Sequence, residues 1–175
     1  MKTQHIFIVG MMGTGKTSIG KKLAKRLSYA WFDTDQLLEE EWGYSIDTFF
    51  QKHGEAAFRQ AEQEILMKLV DKHPAVITTG GGIVLNPANC RLMLQNGQVI
   101  SLTAHPDELI RRLQYDQSRP LLKGNVKEKV WKLATERAEK YQFADLMIDT
   151  TKKKIADVVE EAYLYLFNSP PQRSS

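Results

Sequence analysis

One segment near the start of the chain has the residue types and spacing that bind phosphate groups. Residues 10–17, here called the phosphate loop, match the pattern G-x-x-x-x-G-K-[ST]. Glycines let backbone N–H groups wrap an anion, the lysine reaches the β- and γ-phosphates, and the hydroxyl ligates Mg²⁺. The candidate phosphate-binding residues are Gly13, Thr14, Gly15, Lys16, Thr17 and Ser18. The pattern indicates a nucleoside-triphosphate site but does not identify the phosphate acceptor.

Two carboxylates lie on either side of one residue after a short hydrophobic segment. Asp33 and Asp35 follow residues 29–32, which we predict to be the end of a strand. One carboxylate can hold a Mg²⁺-bound water while the other accepts a hydrogen bond from a substrate hydroxyl. Capping of the next helix is the alternative for either acid, and the two roles are compatible.

Two arginines on predicted helices are candidates for binding an anionic substrate group. Arg59 has Glu55 four residues before it and Glu62 three after it, so Glu62 can aim it at a carboxylate. Arg137 lies on a helix whose predicted buried face carries Trp131, Ala134 and Ala138. A surface ion pair is the alternative interpretation for both arginines.

Glycines and a polar segment supply two further candidates. Residues 80–82 are three glycines after a predicted strand, which indicates either close backbone approach to a ligand or a flexible turn. The strand before these glycines does not end in Asp, so the second acid that is usual at such a magnesium site is absent there. Asp33 would have to supply it. The polar segment from Tyr115 to Asn125 is a candidate lid, on which Arg119 can close over a transferring phosphoryl group.

The strands and helices that must position these residues alternate along the chain. The predicted strands are residues 5–9, 29–33, 75–79, 98–103 and 144–149. The predicted helices are residues 15–28, 35–42, 46–52, 55–72, 87–95, 106–115, 126–142 and 153–167. This alternation predicts an α/β fold in which helices cover both faces of a parallel sheet. Ligands bind beyond the carboxyl ends of such strands, which gathers the motifs at one edge.

Composition sets further expectations. The chain has 175 residues and a net charge of +3, which fits one soluble domain. We expect no membrane partner, because no apolar run approaches the roughly 20 residues of a bilayer span. We expect no nucleic-acid partner, because no basic stripe with interleaved aromatic residues is present. The single Cys90 excludes an internal disulfide, and the N-terminus enters a strand at once. We therefore expect a cytoplasmic protein without a signal peptide, in which Cys90 is an inert, partly buried thiol. We also expect a monomer, because nothing in the sequence suggests an obligate interface.

Taken together, the motifs resemble those of the shikimate kinase family. The matching segments are Gly10-x-x-Gly13-x-Gly15-Lys16-Thr17, Phe32-Asp33-Thr34-Asp35, Gly54-Glu55-x-x-Phe58-Arg59-x-x-Glu62, Gly80-Gly81-Gly82, Arg119-Pro120-Leu121-Leu122 and Glu136-Arg137-x-x-x-Tyr141. They occur in the family's order and cover about residues 5–165. The phosphate loop alone is shared by many families, whereas the combination is far more specific.

The resemblance implies a fold and a reaction. The fold is three-layer α/β/α with a five-stranded parallel sheet of P-loop kinase type. Residues 1–168 form a single kinase domain, with a substrate-binding segment at about 33–62, a lid at about 113–124 and a disordered tail at 169–175. The implied reaction is ATP-dependent phosphorylation of the 3-hydroxyl of shikimate with one Mg²⁺ ion, a step towards chorismate and the aromatic amino acids.

The resemblance also implies a role for each site residue. At the acceptor, Asp35 binds the hydroxyls and acts as the base, Arg59 and Arg137 bind the carboxylate, and the Gly81 N–H completes the pocket. The residues implied for the nucleotide, the phosphoryl group and the metal are Lys16, Arg119, Thr17, Asp33 (through water), Arg112 (against the adenine) and Lys153. Residues 149–155 lack the proline that the family often carries in its adenine loop. The run 152–154 is therefore either a solvated helix start or a nucleotide contact.

Two other functions fit part of the pattern. A related small-molecule kinase, such as a gluconate kinase, would share the phosphate loop and the sheet, but Asp35 with Arg59 and Arg137 argues against it. A nucleotide-binding regulatory protein without catalysis would bind ATP and show no turnover dependent on shikimate.

Overall fold

The fold is built on a parallel sheet of five strands. A computed structural model describes residues 4–114 and 125–168. The strands are β1 (His5–Gly10), β2 (Ala30–Asp33), β3 (Ala75–Thr78), β4 (Gly97–Thr103) and β5 (Leu146–Asp149). They lie in the order β2-β3-β1-β4-β5, and every neighbouring pair is parallel. The five-stranded parallel sheet is therefore confirmed.

Helices cover both faces of this sheet. In the described part of the chain they are α1 (Lys16–Leu27), α2 (Thr34–Trp42), α3 (Ile46–Val70), α4 (Pro87–Asn96), α5 (Pro106–Leu113), α6 (Val126–Arg137) and α7 (Ile155–Asn168). Successive side chains of β1 point to opposite faces. Phe7 and Val9 pack in one hydrophobic cluster with α3, α4 and α5, and Ile6 and Ile8 pack in another with α1 and α7. The two clusters give the three-layer α/β/α arrangement.

The strand order brings the predicted site segments to one edge of the sheet. Because β1 lies between β3 and β4, the phosphate loop emerges between the segments that follow those two strands. β2 lies beyond β3, and Asp33 at its end is paired with Thr78 at the end of β3. The sheet therefore places Asp33 and the triple glycine beside the phosphate loop.

The predicted break between the helices at 46–52 and 55–72 is present, and several other predicted boundaries differ from the structure by a few residues. The helices predicted at residues 46–52 and 55–72 form α3, which is interrupted at Gly54, where φ is 79° and ψ is 176°. The helix predicted to end at 142 ends at Arg137 and is followed by a 3₁₀ turn over Glu139–Tyr141. β5 begins at Leu146, two residues later than predicted, and pairs with β4 from Ile100 onwards.

The predicted orientation of α6 was wrong. Trp131, placed on the buried face, is 41% exposed, whereas Val130 and Arg137 are buried. The two buried residues are seven positions apart and so lie on one face of the helix. On that face Val130 packs in the first hydrophobic cluster, and Arg137 is stabilised by a hydrogen bond to the carbonyl oxygen of Gly81.

Some predictions fall outside the described residues. These are Arg119, nearly all of the predicted lid, and the predicted tail at 169–175. Within residues 4–114 and 125–168, no helix has both the length and the apolar character that a bilayer crossing requires.

Candidate active site

The phosphate loop forms a tight turn between β1 and α1. Gly13 and Gly15 have φ values of 81° and 92°, and Gly15 is the residue that precedes the first turn of α1. The Thr14 hydroxyl donates to the carbonyl oxygen of Met11 at 2.8 Å. Lys16 Nζ donates to the carbonyl oxygens of Gly10 and Met11 at 2.8 and 2.9 Å. The lysine is thereby held over the loop whose N–H groups would receive phosphate.

A cavity of about 410 Å³ lies in front of this loop. Its lining residues are Gly13, Gly15, Lys16, Thr17, Ser18, Asp33, Asp35, Gln36, Glu39, Thr79 and Gly81. The structure therefore brings the predicted phosphate-binding residues and the predicted acceptor residues Asp35 and Gly81 to one cavity. The volume is within the range of small-molecule sites.

Asp33 is held by hydrogen bonds from three elements. Its Oδ1 accepts from the backbone N–H groups of Asp35 and Gln36 at 3.1 and 3.3 Å, which caps α2. Its Oδ2 accepts from the hydroxyls of Thr17 and Thr78 at 3.2 and 2.8 Å. The capping interpretation is thus confirmed, and the second oxygen remains directed towards α1 and the cavity.

The oxygen atoms of Thr17 and Asp33 fit a magnesium ion. They lie within hydrogen-bond distance of each other and line the cavity beside the phosphate loop. Hydroxyl and carboxylate oxygens are the donors that Mg²⁺ prefers. Among residues 4–114 and 125–168, no cluster of three or more His, Cys, Asp and Glu side chains could hold a metal. A Mg²⁺ ion bound by one or two protein oxygens together with phosphates and water needs no such cluster.

The triple glycine allows close packing of charged side chains at the acceptor end. A Cβ on Gly80 would lie 2.6 Å from Asp35 Oδ1 and 2.9 Å from Glu62 Oε1. A Cβ on Gly82 would clash with the guanidinium of Arg59. The Gly80 N–H donates to the hydroxyl of the fully buried Thr34 at 3.2 Å, which ties the glycine segment to the start of α2. The glycine segment therefore marks close approach and is not simply a flexible turn.

Arg59 and Glu62 form an ion pair that is not on the surface. Arg59 Nη1 donates to Glu62 Oε2 at 2.5 Å, and Nη2 donates to Glu55 Oε1 at 3.1 Å. The Glu62 side chain is only 1% exposed. Burial raises the pKa of Glu62 to about 7, against the opposing effect of Arg59, and Asp35 raises it further. The interpretation of a solvated surface pair is therefore wrong for Arg59 and Glu62.

Arg137 reaches the same glycine segment from α6. Its Nη1 donates to the carbonyl oxygen of Gly81 at 3.4 Å, and the Tyr141 hydroxyl donates to the same oxygen at 2.6 Å. Burial raises the pKa of Tyr141 to about 12, so its hydroxyl remains a donor at neutral pH. The interpretation of Arg137 as a surface pair is also wrong, because the residue is 8% exposed.

The two remaining nucleotide candidates lie in different surroundings. Arg112 donates to the carbonyl oxygen of Gly13 at 3.1 Å, which places it beside the phosphate loop. Lys153 Nζ donates to Glu161 Oε2 of α7 at 2.6 Å and does not line the cavity. The contact between Lys153 and the nucleotide stays a prediction.

Sequence reasoning missed three residues that hold the site together. Thr78 binds Asp33, and Glu108 and Thr150 bind Arg112. The sequence does mark Thr78, because threonines stand at the end of β3, at the position where a magnesium-site acid would be expected. No local pattern marks Thr150, whose partner is 38 residues away in the chain.

Comparisons with a family model, with sequence relatives and with solved structures each find one family among their matches. A sequence model described as "Shikimate kinase" matches residues 12–166. A shikimate kinase of Caldanaerobacter subterraneus subsp. tengcongensis is 42% identical over 167 residues, covering 93% of this chain and 98% of its own length. One from Geobacter metallireducens is 41% identical over 164 residues, covering 93% and 92%. The solved structure of the Acinetobacter baumannii shikimate kinase in complex with shikimate superposes with a TM-score of 0.91 at 31% identity, covering 97% of each chain.

Proposed function

The chain belongs to the shikimate kinase family, and we propose that the side chains around its cavity divide into a phosphoryl-donor half and an acceptor half. The reaction is ATP-dependent phosphorylation of the 3-hydroxyl of shikimate, a step in aromatic amino acid biosynthesis. The observation that carries the division of roles is the convergence of Asp35, Arg59, Glu62 and Arg137 on the triple glycine, beside the phosphate-loop cavity.

The acceptor half binds a small hydroxylated carboxylate. Arg59 and Arg137 approach the glycine segment from α3 and α6, so both guanidinium groups can bind one carboxylate there. Asp35 lines the cavity between them and the phosphate loop, where it can accept hydrogen bonds from hydroxyl groups. The Gly81 N–H supplies a further donor. The hydrogen bond from Tyr141 to the carbonyl oxygen of Gly81 holds this peptide segment in place.

The donor half positions ATP and stabilises the charge that moves during transfer. The N–H groups of the phosphate loop and Lys16 bind the β- and γ-phosphates. The oxygen of the 3-hydroxyl attacks the γ-phosphorus while Asp35 accepts the hydroxyl proton. The bond from that phosphorus to the β,γ-bridging oxygen breaks. Lys16 and Arg119 stabilise the negative charge on the transferring phosphoryl and on the leaving ADP.

Magnesium would be held at the junction of the two halves. Thr17 would ligate the ion directly, and Asp33 would act through a bound water. When bound there, Mg²⁺ would neutralise part of the charge on the phosphates. The hydrogen bonds from Thr78 and from the first turn of α2 fix the Asp33 carboxylate for this role.

We extend the proposal to the whole chain. Residues 1–168 act as a single kinase domain, with the acceptor bound by the segment at 33–62 and a lid at about 113–124, and the protein is a cytoplasmic monomer. The single Cys90 and membership of a family of biosynthetic enzymes support the location. Light scattering on the purified protein tests the monomer, and a mass of twice 20.0 kDa would contradict it.

The division of roles predicts that ligand affinities can be lost separately. In Arg59→Ala, shikimate should bind about 10- to 100-fold more weakly, because a charge-assisted pair to its carboxylate is lost. The affinity for ADP should stay within about twofold, because Arg59 contacts only the acceptor half. Isothermal titration with each ligand measures both affinities.

The matched control is Arg26→Ala, which removes an exposed ion pair with Glu160 far from the cavity. It should change neither affinity. An equal loss of shikimate and ADP affinity in Arg59→Ala would contradict the role assigned to Arg59.

Arg119 should act on the rate and not on the binding of shikimate. In Arg119→Ala, kcat should fall about 1000-fold, which is the lower range for an arginine that stabilises a transferring phosphoryl group. The KM for shikimate should change little. Steady-state kinetics with a coupled ADP assay gives both values, and an unchanged kcat would show that Arg119 does not reach the phosphoryl group.

A further inference from the structure

The guanidinium of Arg112 is fixed within its own plane. Its Nε donates to Glu108 Oε1 at 2.7 Å. Its Nη1 donates to the carbonyl oxygen of Gly13 and to the hydroxyl of Thr150, both at 3.1 Å. Its Nη2 donates to the carbonyl oxygen of Thr150 at 2.8 Å. These bonds occupy four of the five N–H groups of the guanidinium.

In-plane hydrogen bonds leave the two faces of a guanidinium available. About a quarter of the Arg112 side chain, 24%, is exposed. When the N–H groups of a planar cation are already hydrogen-bonded, it interacts with an aromatic ring by stacking and not by hydrogen bonds to the edge of a base. The geometry therefore suits a base that stacks on Arg112, and it leaves few donors for discriminating one purine from another.

The partners of Arg112 come from three different parts of the fold. Glu108 lies one turn earlier on α5, Gly13 belongs to the phosphate loop, and Thr150 directly follows β5. Thr150 is 2% exposed, and its hydroxyl and N–H both donate to the carbonyl oxygen of Thr103, at 2.9 and 2.8 Å. Thr150 is thus anchored to β4 independently of Arg112 and offers it a rigid partner.

Glu108 is equally well fixed. It accepts from Arg111 Nε and Nη2 at 2.9 and 2.7 Å in addition to Arg112, and its side chain is 12% exposed. Hydrogen bonds from Arg111, and then from Arg112, lower the pKa of Glu108 to about 2. Glu108 therefore stays a carboxylate throughout the neutral range and holds Arg112 constantly.

We propose that Glu108 and Thr150 are positioning residues for the nucleotide base: they set the plane of Arg112 relative to the phosphate loop, so that a base stacks at a fixed orientation to the bound phosphates. This inference rests on the proposed contact between Arg112 and the adenine. It separates two contributions to ATP binding, because the phosphate loop binds the phosphates whereas Arg112 and its two partners bind the base.

A comparison of two ligands tests the inference. Isothermal titration at fixed Mg²⁺ measures the affinity of each variant for ADP, which has a base, and for inorganic tripolyphosphate, which has none. In Glu108→Gln and in Thr150→Val, ADP should bind about fivefold more weakly, while the affinity for tripolyphosphate stays unchanged. Thr150→Ser keeps the hydroxyl and should restore ADP affinity.

The controls separate the inference from the proposed function on which it rests. Glu160→Gln, which breaks the exposed pair with Arg26, should change neither affinity. Equal weakening of ADP and tripolyphosphate, or no weakening of ADP, in both Glu108→Gln and Thr150→Val would overturn the positioning role. If Arg112→Ala also leaves the ratio of the two affinities unchanged, Arg112 does not contact the base, and the proposed contact fails as well.

Discussion

At the scale of single residues, the acceptor site depends on the charge state of Glu62. The carboxylate is buried among Arg59 of its own helix, Asp35 of α2 and Arg137 of α6. Because its pKa is raised to about 7, Glu62 is partly neutral at neutral pH. A neutral Glu62 orients Arg59 without cancelling its charge, which leaves that charge for the carboxylate of the substrate.

The raised pKa predicts how stability depends on pH. A carboxyl whose folded-state pKa lies above its ordinary value of 4.5 stabilises the fold below that value, and the contribution is lost as pH rises through about 7. Between about pH 5 and about pH 8, the Tm of the natural protein should therefore fall by a few degrees relative to that of Glu62→Gln. Thermal unfolding of both proteins at the two pH values measures this difference.

The matched control is Glu64→Gln, an exposed position on the same helix. Its pH dependence should follow that of the natural protein. If the Tm of Glu62→Gln fell with pH as steeply as the Tm of the natural protein and of Glu64→Gln, Glu62 would not carry the pH dependence assigned to it.

At the scale of secondary-structure elements, short sequence patterns predicted features within one segment but did not predict contacts between elements. The turn from β1 to α1 and the break at Gly54 follow from short sequence patterns, and both occur where expected. The face of α6 was misjudged because an arginine occupies the inward position, and hydrophobic periodicity cannot indicate a polar buried face. Likewise, Thr78 meets Asp33 only because β2 and β3 are adjacent, a pairing that no local pattern contains.

The contact between β2 and β3 predicts a role for Thr78 in metal binding. Its hydroxyl donates to Asp33 Oδ2 at 2.8 Å, so Thr78→Val should free the carboxylate while nearly preserving side-chain shape. Loss of such an outer partner typically weakens metal binding about 10- to 100-fold. Electron paramagnetic resonance of Mn²⁺ in the presence of ADP measures that affinity without requiring turnover.

Two variants make the result specific. Thr78→Ser keeps the donor and should retain Mn²⁺ affinity, whereas Ser101→Ala removes another fully buried hydroxyl, from β4, and should have no effect. Unchanged Mn²⁺ affinity in Thr78→Val would show that Asp33 needs no support from β3.

At the scale of the whole molecule, the strand order explains why one chain can hold two different ligands. The order β2-β3-β1-β4-β5 places the phosphate loop in the middle of the carboxyl edge, with Asp35 and the triple glycine after β2 and β3, and with Arg112 on α5, which follows β4. The alternating pattern of the sequence predicted the five strands and the layers, but the contacts that join the two sides arise only in the folded chain. The acceptor and nucleotide sites therefore meet at one edge and can be altered separately.

The central claim is that this edge transfers phosphate from ATP to shikimate. An assay of ADP release with the purified protein, in parallel reactions containing shikimate, gluconate or a nucleoside monophosphate, tests it most directly. We predict turnover with shikimate and only the background rate of ATP hydrolysis with the other two acceptors. Turnover with gluconate or a nucleoside monophosphate, and none with shikimate, would contradict the account.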